Sequence, residues 1–282
     1  MRLGAHVSIA GGADLAIERG TEFGCEAIQI FTKNNNQWRA APLADEVVER
    51  FRANLAASDI HPVVAHGSYL INLGTSDQAL WKKSSDSLQT ELERCERLGV
   101  AFFVTHPGSH TGAGIEPGLA NVARALNAVH KRTHGYRVMT LVEHMAGQGT
   151  NLCSAFDQIA RLFDMVEDQT RIGVCLDTCH LFAAGYDYRT PDKYAALMEE
   201  MDRAFGLDRV RCIHLNDSKT PLGSRVDRHE RIGQGKIGRK GFKLFVQDPR
   251  WRDTPGLIET PTDGTGKQEK QNLRTLRRLA AG

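Results

Sequence analysis

The 282-residue sequence lacks the features of membrane proteins and of secreted, disulfide-rich proteins. No apolar run reaches the roughly 20 residues that cross a bilayer, and the N-terminal MRLGAHVSIAGG contains no apolar signal-like stretch. The six cysteines include no Cys-x-x-Cys pair, which favours reduced, buried thiols over a disulfide framework. We therefore expect a cytoplasmic protein that has no membrane partner.

Linkers and a large excess of charge are also missing. The net charge is only +2, from 36 basic and 34 acidic residues, and by itself it says nothing about a nucleic-acid partner. No proline-rich or low-complexity linker interrupts the chain, while a hydrophobic content of 41% supports a large core. We predict a single domain that spans residues 1–282.

Strand-like and helix-like segments alternate along the whole chain. Eight short runs rich in Val, Ile, Leu or Phe are separated by amphipathic stretches such as 43–57, 77–98 and 191–205. The last of these stretches starts with Thr190 as a candidate N-cap and Pro191 in the first turn. Eight βα units without a break predict an α/β fold, the (β/α)8 or TIM barrel, with a doubly wound sheet as the alternative. The predicted strands cover residues 2–8, 26–32, 62–66, 101–106, 137–143, 171–177, 209–214 and 255–259.

Six consecutive strand-like segments each end on a side chain that binds metal ions well. In a closed parallel barrel all strand C-termini lie on one face, so these side chains are expected to converge on one pocket. Three further candidates lie in loops, namely His180, Asp227 and His229. Five histidines and four carboxylates are too many for one ion and suit two or three ions of zinc or a similar cation. The strand-end candidates are His66, His106, Glu143, Asp177, His214 and Glu259.

Each candidate ligand also has an ordinary structural interpretation. A single histidine at a strand end is more often a hydrogen-bonded core residue, and Glu143 or Asp177 could equally be half of an ion pair. The repetition over six successive strands is what favours metal binding. His6, His110 and His144 also lie near strand ends, and we place them around the ligands rather than among them.

Segment 219–240 is a basic loop that contains two of the candidate ligands. It holds seven Lys or Arg residues against two acids. Positive charge beside metal ligands favours a phosphate-bearing substrate, and a merely solvated loop is the alternative. Residues 233–238 match G-x-G-x-x-G, but charged residues rather than a strand precede them, so we reject dinucleotide binding.

Several long stretches of the sequence are distinctive as whole motifs. They include GAHVSIAGG at 4–12, QIFTKNNNQWRA at 29–40, GVCLDTCHLFAAGYD at 173–187 and GSRVDRHERIGQGKIG at 223–238. With these motifs the chain resembles, over nearly its whole length, the endonuclease IV family. These are metal-dependent apurinic/apyrimidinic (AP) endonucleases of base-excision repair, and their fold is the TIM barrel that the alternation predicts.

The resemblance implies three zinc ions per chain, bound by the nine residues already singled out. It also implies hydrolysis of the phosphodiester 5′ to an abasic site, which leaves a 3′-hydroxyl and a 5′-deoxyribose phosphate, and trimming of damaged 3′ ends. Glu143 and Glu259 are the expected catalytic residues, positioned to orient the attacking water or to accept its proton. The implied groups are His66, His106 and Glu143 for the first ion, Glu143, Asp177, His214 and Glu259 for the second, and His180, Asp227 and His229 for the third.

Residues of the loops at the barrel mouth are the expected contacts to double-stranded DNA that contains abasic sites or blocked 3′ ends. Tyr69 and Leu70 lie on the loop that begins directly after His66. Such a pair can wedge into the base stack where a base is missing. For Trp38 and Tyr69, packing of the loop onto the barrel is the alternative. The candidates are Lys33, Asn36, Gln37, Trp38, Arg39, Tyr69, Leu70, Arg225 and Arg228.

Two positions depart from the family, and two other functions compete with it. Family members often carry arginine where this chain has Asn36 and asparagine where it has His144. The first alternative is a metal-dependent sugar isomerase or epimerase of the same barrel superfamily, which needs only one or two metals. The second is a non-catalytic, zinc-containing DNA-binding protein, although structural zinc sites are closed and usually Cys-rich. We expect a monomer that works at the nucleoid.

Overall fold

The eight predicted strands form a closed parallel barrel in the computed structural model, which describes all 282 residues. Neighbouring strands pair in sequence order, and the first strand closes the barrel onto the last. The TIM-barrel prediction is therefore confirmed. The barrel strands are β1 (Arg2–His6), β2 (Ala27–Phe31), β3 (Val63–His66), β4 (Phe102–Thr105), β5 (Met139–Glu143), β6 (Ile172–Asp177), β7 (Val210–His214) and β10 (Pro255–Ile258).

Nine helices surround the barrel and follow the predicted amphipathic stretches. Pro191 occupies the first turn of its helix and Thr190 is the N-cap residue, as expected, although the Thr190 side chain makes no capping hydrogen bond. Asp77 provides a side-chain cap instead, since it accepts from the amides of Ala79 and Leu80. The helices are α1 (Leu15–Phe23), α2 (Asp45–Ala56), α3 (Gln78–Leu98), α4 (Ile115–Arg132), α5 (Phe156–Met165), α6 (Thr178–Ala184), α7 (Pro191–Phe205), α8 (Gly238–Gln247) and α9 (Lys267–Ala281).

The strand ends lie close to where the sequence places them. Four of the six candidate ligands are the last residue of their strand, whereas His106 and Glu259 come one residue after β4 and β10. Parallel pairing aligns these ends, so that Asp177 is the register partner of His214. The barrel mouth is thereby lined by the ends of neighbouring strands.

Small and aliphatic side chains fill the barrel interior beneath this mouth. They form a buried cluster that includes two thiols, Cys175 and Cys212. All six cysteines are buried and free, as expected for reduced thiols. None of the helices combines the length and apolarity that a transmembrane helix requires. The interior cluster consists of Ala27, Val64, Val104, Leu141, Cys175, Cys212 and Leu257.

The basic segment 219–240 is more ordered than its sequence indicates. Two short strands, β8 (Asp217–Ser218) and β9 (His229–Glu230), pair antiparallel and tie the middle of the segment to the residues just before it. Its last residues already belong to α8, which begins at Gly238. The pairing fixes His229 opposite Ser218, close to the end of β7.

Candidate metal centre

Glu143 lies at the centre of the side chains that the structure gathers at the barrel mouth. Its Oε2 is 3.2 Å from His66 Nε2 and 3.3 Å from His106 Nε2. Its Oε1 is 3.3 Å from Nδ1 of both His180 and His214. Burial alone would raise the pKa of this carboxyl, but the histidines, His106 and His214 foremost, hold the pKa well below its ordinary value. Glu143 is therefore an anion that four imidazoles share.

His214 connects this centre to two more carboxylates. Its Nδ1 lies 3.2 Å from Glu259 Oε2 and 3.8 Å from Asp177 Oδ2. Its other nitrogen, Nε2, is 2.8 Å from Oε1 of the fully buried Gln29. The Gln29 amide also donates through Nε2 to Glu259 Oε1 at 2.5 Å and lies 3.0 Å from His6 Nδ1.

The Gln29 amide determines which nitrogen of His214 carries the proton. A carboxylate accepts only, so the Gln29 group that faces Glu259 must be the NH2 and the group that faces His214 must be the carbonyl. His214 then donates through Nε2, so Nδ1, which faces the carboxylates, is the nitrogen that is available to a metal ion. Sequence reasoning missed Gln29, although a lone polar residue within the apolar strand AIQIF was a usable signal.

A third set of side chains surrounds Asp227. Its carboxylate oxygens lie 3.1 Å from His180 Nε2 and 3.1 Å from His229 Nε2. Each histidine uses Nδ1 on a backbone carbonyl: His180 on His144 O at 2.8 Å and His229 on Glu259 O at 3.1 Å. These bonds occupy Nδ1 of each ring, so Nε2, which faces the carboxylate, is the nitrogen that is available to a metal ion.

This donor set fits metal cations. The Nε2 atoms of His180 and His229 are buried without a hydrogen-bond partner, and they face an anion instead of a donor. Every ion-pair partner of the four carboxylates is a histidine, with no Lys or Arg among them. Buried carboxylates without such partners are unfavourable unless a cation joins them. The chain thus carries several groups that can hold a metal ion, including His66 with His106 and Glu143.

Comparisons with known proteins agree with this geometry. The family model described as a xylose isomerase-like TIM barrel matches residues 17–280. A probable endonuclease 4 from Chloroflexus aggregans is 49% identical over 278 residues, which cover 99% of this chain and 97% of the relative. The crystal structure of endonuclease IV from Thermus thermophilus has a TM-score of 0.87 at 41% identity, covering 100% of this chain and 99% of that one. This chain belongs to the endonuclease IV family. It is accordingly an enzyme, and its function is that of an AP endonuclease.

Sugar epimerases share the barrel but not the sequence of this endonuclease IV family member. A D-tagatose 3-epimerase-like protein has a TM-score of 0.73 at 16% identity, and a D-psicose 3-epimerase has 0.71 at 13% identity. Likeness at this level shows the fold alone. The isomerase alternative therefore gains no support beyond the shared barrel.

The histidines assigned around the ligands divide into two kinds. His6 lies beside the centre, with its Nδ1 3.7 Å from Glu259 Oε1. His110 does not, because its Nδ1 accepts from the amide of Gly114 at 3.0 Å, just before α4. Placing His110 around the ligands was therefore wrong, and its role is to order the loop that follows β4.

His144, where endonuclease IV members often carry asparagine, contributes through its backbone. Its carbonyl holds His180, whereas its imidazole packs among Phe156 and Tyr186 with both ring nitrogens unpartnered. Complete burial lowers the pKa of His144 to about 3, so that the ring stays neutral. The substitution leaves the donor set of the metal centre unchanged.

The glycine-rich motif at 233–238 encloses a carboxylate of the enzyme itself. Asp217 is fully buried, and its two oxygens accept from four backbone amides at 3.0 Å or less, besides that of Gly238 at 3.5 Å, which leaves no cradle for a nucleotide phosphate. This enclosure anchors the loop that carries Asp227 and His229, two of the candidate metal ligands. The donors are the N–H groups of Ser218, Gly233, Gly235 and Ile237, at 2.8–3.0 Å.

Tyr69 lies at the rim of the centre, where it is exposed enough to contact DNA and also packs against the barrel. The residue is 56% exposed, more than any other large hydrophobic residue of the chain. Its ring also packs within 5.9 Å of His66 and 6.0 Å of His106, measured between ring centroids. Leu70 beside it is half-buried. The exposed side of the ring is thus open to a binding partner, while its inner edge packs against two histidines that are candidate metal ligands.

The other predicted DNA contacts are exposed, with two exceptions. Asn36, Gln37 and Arg39 lie at least partly exposed on the loop after β2, as do Arg225 and Arg228 on the basic segment. Trp38 is half-buried, and the ammonium group of Lys83 lies 4.5 Å from its ring centroid. This contact agrees with the alternative that Trp38 packs the loop onto the barrel. Lys33 departs from the expectation: it is 4% exposed and its ammonium group donates to Gln37 O, so burial removes it from the surface that DNA can reach.

Proposed function

We propose that this enzyme hydrolyses the phosphodiester 5′ to an abasic site in double-stranded DNA. The products would be a 3′-hydroxyl and a 5′-deoxyribose phosphate, and blocked 3′ ends would be trimmed by the same chemistry. The supporting observation is the buried Glu143, shared by four histidines, with the exposed Tyr69 at the rim above it. We further propose that the enzyme works as a monomer at the nucleoid.

Three zinc ions are the metals that we propose for the centre. Imidazole and carboxylate donors in sets of three or four suit zinc, and a set of three donors would leave a position for water or phosphate. Bound zinc supplies a water molecule with a pKa near 7 and neutralises charge on the phosphate oxygens. The proposed sets are His66, His106 and Glu143; Glu143, Asp177, His214 and Glu259; and His180, Asp227 and His229.

Glu259 is the carboxylate best placed to act on the attacking water. Its side chain is 15% exposed, compared with 1% for Glu143, so that it reaches the side from which substrate arrives. Burial alone would raise the pKa of Glu259, but His214 and the bond to His6 hold the pKa well below its ordinary value. A carboxylate this acidic is a weak base, so its main role is to orient the water by hydrogen bonding.

Glu143 takes a different role because it is enclosed. Its two oxygens face different histidines, so one carboxylate fixes the first and second ligand sets relative to each other. Preorganised groups of this kind need no rearrangement while the phosphorus is attacked. Loss of its charge would therefore disturb both sets at once.

The rim residues bind the DNA on either side of the reacting phosphate. Tyr69 and Leu70 fill the gap left by the missing base, where unstacking costs less than in intact duplex. Arg225 and Arg228 lie on the basic segment and contact backbone phosphates, so binding should weaken as salt rises. Selectivity then comes from the gap, and affinity comes largely from the phosphates.

A labelled duplex with one abasic site tests the proposal directly. The purified, metal-replete protein should cut it 5′ to the site, and the new 3′ end should support extension by a DNA polymerase. Intact duplex and chelator-treated protein serve as controls, and a ketohexose tests the epimerase alternative. Cleavage that leaves an unextendable 3′ end, or epimerisation without cleavage, would refute the proposed function.

A further inference from the structure

Two oppositely charged side chains are buried beneath the loops that carry the predicted DNA contacts. Lys33, on the loop after β2, has a side chain 2% exposed, and Glu91, on α3, has one that is 1% exposed. The Lys33 Nζ lies 3.7 Å from Glu91 Oε1. Buried charges are unfavourable unless they are paired and hydrogen-bonded, so the contacts of this pair indicate what it does.

Each member of the pair also holds backbone of a different loop. Glu91 Oε1 accepts from the amide of Ser68 at 3.3 Å, immediately before Tyr69 on the loop after β3. Lys33 Nζ donates to Gln37 O at 2.6 Å, immediately before Trp38 on the loop after β2. The ion pair therefore connects the two loops at the residues next to their predicted DNA contacts.

A second contact joins the same loops directly. The Ser68 hydroxyl donates to Asn35 O at 2.6 Å and accepts from the amide of Leu70 at 3.3 Å. Since a hydroxyl has one proton, these roles fix its orientation. The tip formed by Tyr69 and Leu70 is thus tied to the loop after β2 as well as to its own strand.

One face of α3 supports the whole arrangement. Arg94, one turn after Glu91, donates to Thr32 O at 2.7 Å and to Ala41 O at 2.9 Å. Arg97, a further turn along, donates to Leu43 O at 2.7 Å. Residues three apart share a helix face, so the loop from 32 to 43 is laid along a rigid support.

We propose that the Lys33–Glu91 ion pair is a positioning element for DNA recognition, which holds the loop after β2 and the Tyr69–Leu70 tip in one arrangement before DNA binds. Neither charged group reaches the DNA itself. Because the loops are already ordered when the protein has folded, the entropic cost of ordering them does not fall on the binding step. DNA binding is therefore stronger, while the chemical step is unchanged. The inference rests on the proposed function, because it assumes that these loops face abasic duplex.

Three variants of the full-length, metal-replete enzyme test this role: Glu91→Gln, Lys33→Met and the two combined. Each single variant should raise KM for abasic duplex by about tenfold, the scale of ordering one or two side chains on binding. The kcat and the metal content should stay within about twofold of the parent, because the pair does not touch the reacting phosphate. Amide hydrogen exchange of residues 33–41 and 68–72 should become faster in the DNA-free protein. The double variant, which leaves no unpaired buried charge, should be less impaired than the two single effects combined.

An exposed ion pair on the same helix provides the matched control. Lys82 and Asp86 are bonded at 2.6 Å, but their side chains are 73% and 52% exposed. Lys82→Met with Asp86→Asn should leave KM and loop exchange unchanged. If Glu91→Gln does not fold, Lys33→Met carries the same comparison, because the remaining Glu91 carboxyl can take up a proton.

The outcomes separate the inference from the proposed function. Single variants with parental KM and parental exchange would overturn the positioning role, as would faster exchange with an unchanged KM. Loss of metal together with a fall in kcat would also overturn it, because the pair would then support the His66 ligand set. A parent enzyme that fails to cut abasic duplex refutes the proposed function, whereas loop exchange in the variants still reports whether the pair orders the loops.

Discussion

Replacement of Gln29 by methionine should weaken the metal centre although Gln29 itself binds no metal. Methionine keeps the length of the side chain but removes its carbonyl acceptor and its amide donor. His214 Nε2, in a ring with no exposed surface, would lose its acceptor at 2.8 Å, and Glu259 would lose a donor at 2.5 Å. The ring of His214 would then be free to adopt the tautomer that carries its proton on Nδ1, toward the carboxylates.

The size of the effect follows from these lost bonds. One buried donor left unsatisfied costs about 1–3 kcal/mol. Removal of a group that orients a ligand histidine typically lowers metal affinity or activity by about 10–100-fold, which is the same energy range. We therefore expect metal to dissociate to a competing chelator about 10–100-fold more readily in Gln29→Met, with a fall in kcat of similar size.

Chelator competition, followed by elemental analysis, measures this change, and thermal unfolding checks that the variant is folded. Gln158→Met is the matched control, because Gln158 is also buried and hydrogen-bonded, to the amide of Cys153, but does not touch the centre. It should lose stability without losing metal. Folded Gln29→Met protein with the metal affinity and kcat of the parent would refute the argument that this amide fixes the His214 tautomer.

Three further predictions concern catalysis, binding and proton release. Glu259→Gln should lower single-turnover cleavage by roughly 10²–10⁴-fold while affinity for abasic duplex survives, and near-normal turnover would exclude a central role. Tyr69→Ala with Leu70→Ala should weaken affinity for abasic duplex by roughly 1–3 kcal/mol at unchanged metal content, and an unaltered preference over intact duplex would contradict the wedge. Burial alone would lower the pKa of His229, but Asp177 and Asp227 raise the pKa to about 9 in the metal-free protein. The ring is then protonated at neutral pH, so metal binding should release protons and tighten as pH rises toward that pKa, as calorimetry in buffers of different ionisation enthalpy can measure.

The barrel and the gathering of the strand-end side chains at its mouth could be predicted because each strand carries its own signal. VVAH, MTLVE, IGVCLD and VRCIH are apolar runs closed by one metal-binding side chain, and the closed parallel topology then dictates where those side chains meet. Local sequence and global fold agree at these positions, which is the condition for a correct prediction.

The errors lie where a side chain's role depends on a partner far along the chain. A lysine within KNNNQWR is expected to be solvated. Nothing in the neighbouring sequence indicates that Lys33 will be buried beside Glu91 of α3. The enclosure of Asp217, for which no prediction was made, has the same origin, because most of the amides around it come from residues 233–237. Such pairings arise from tertiary packing, which short-range patterns do not encode.

The candidate metal ligands lie partly at the strand ends and partly on the segments between strands, and the two groups depend on the fold in different ways. The strand-end set comes with the fold, since any parallel barrel presents its strand ends at one mouth. The set around Asp227 does not: two of its three members belong to the segment between β8 and α8, whose course depends on the enclosure of Asp217. Sugar epimerases with the same barrel are only 13–16% identical to this chain, so the fold alone cannot distinguish them. The side chains around Asp227 and the Tyr69 rim lie outside the barrel strands, so they belong to segments that the barrel itself does not prescribe.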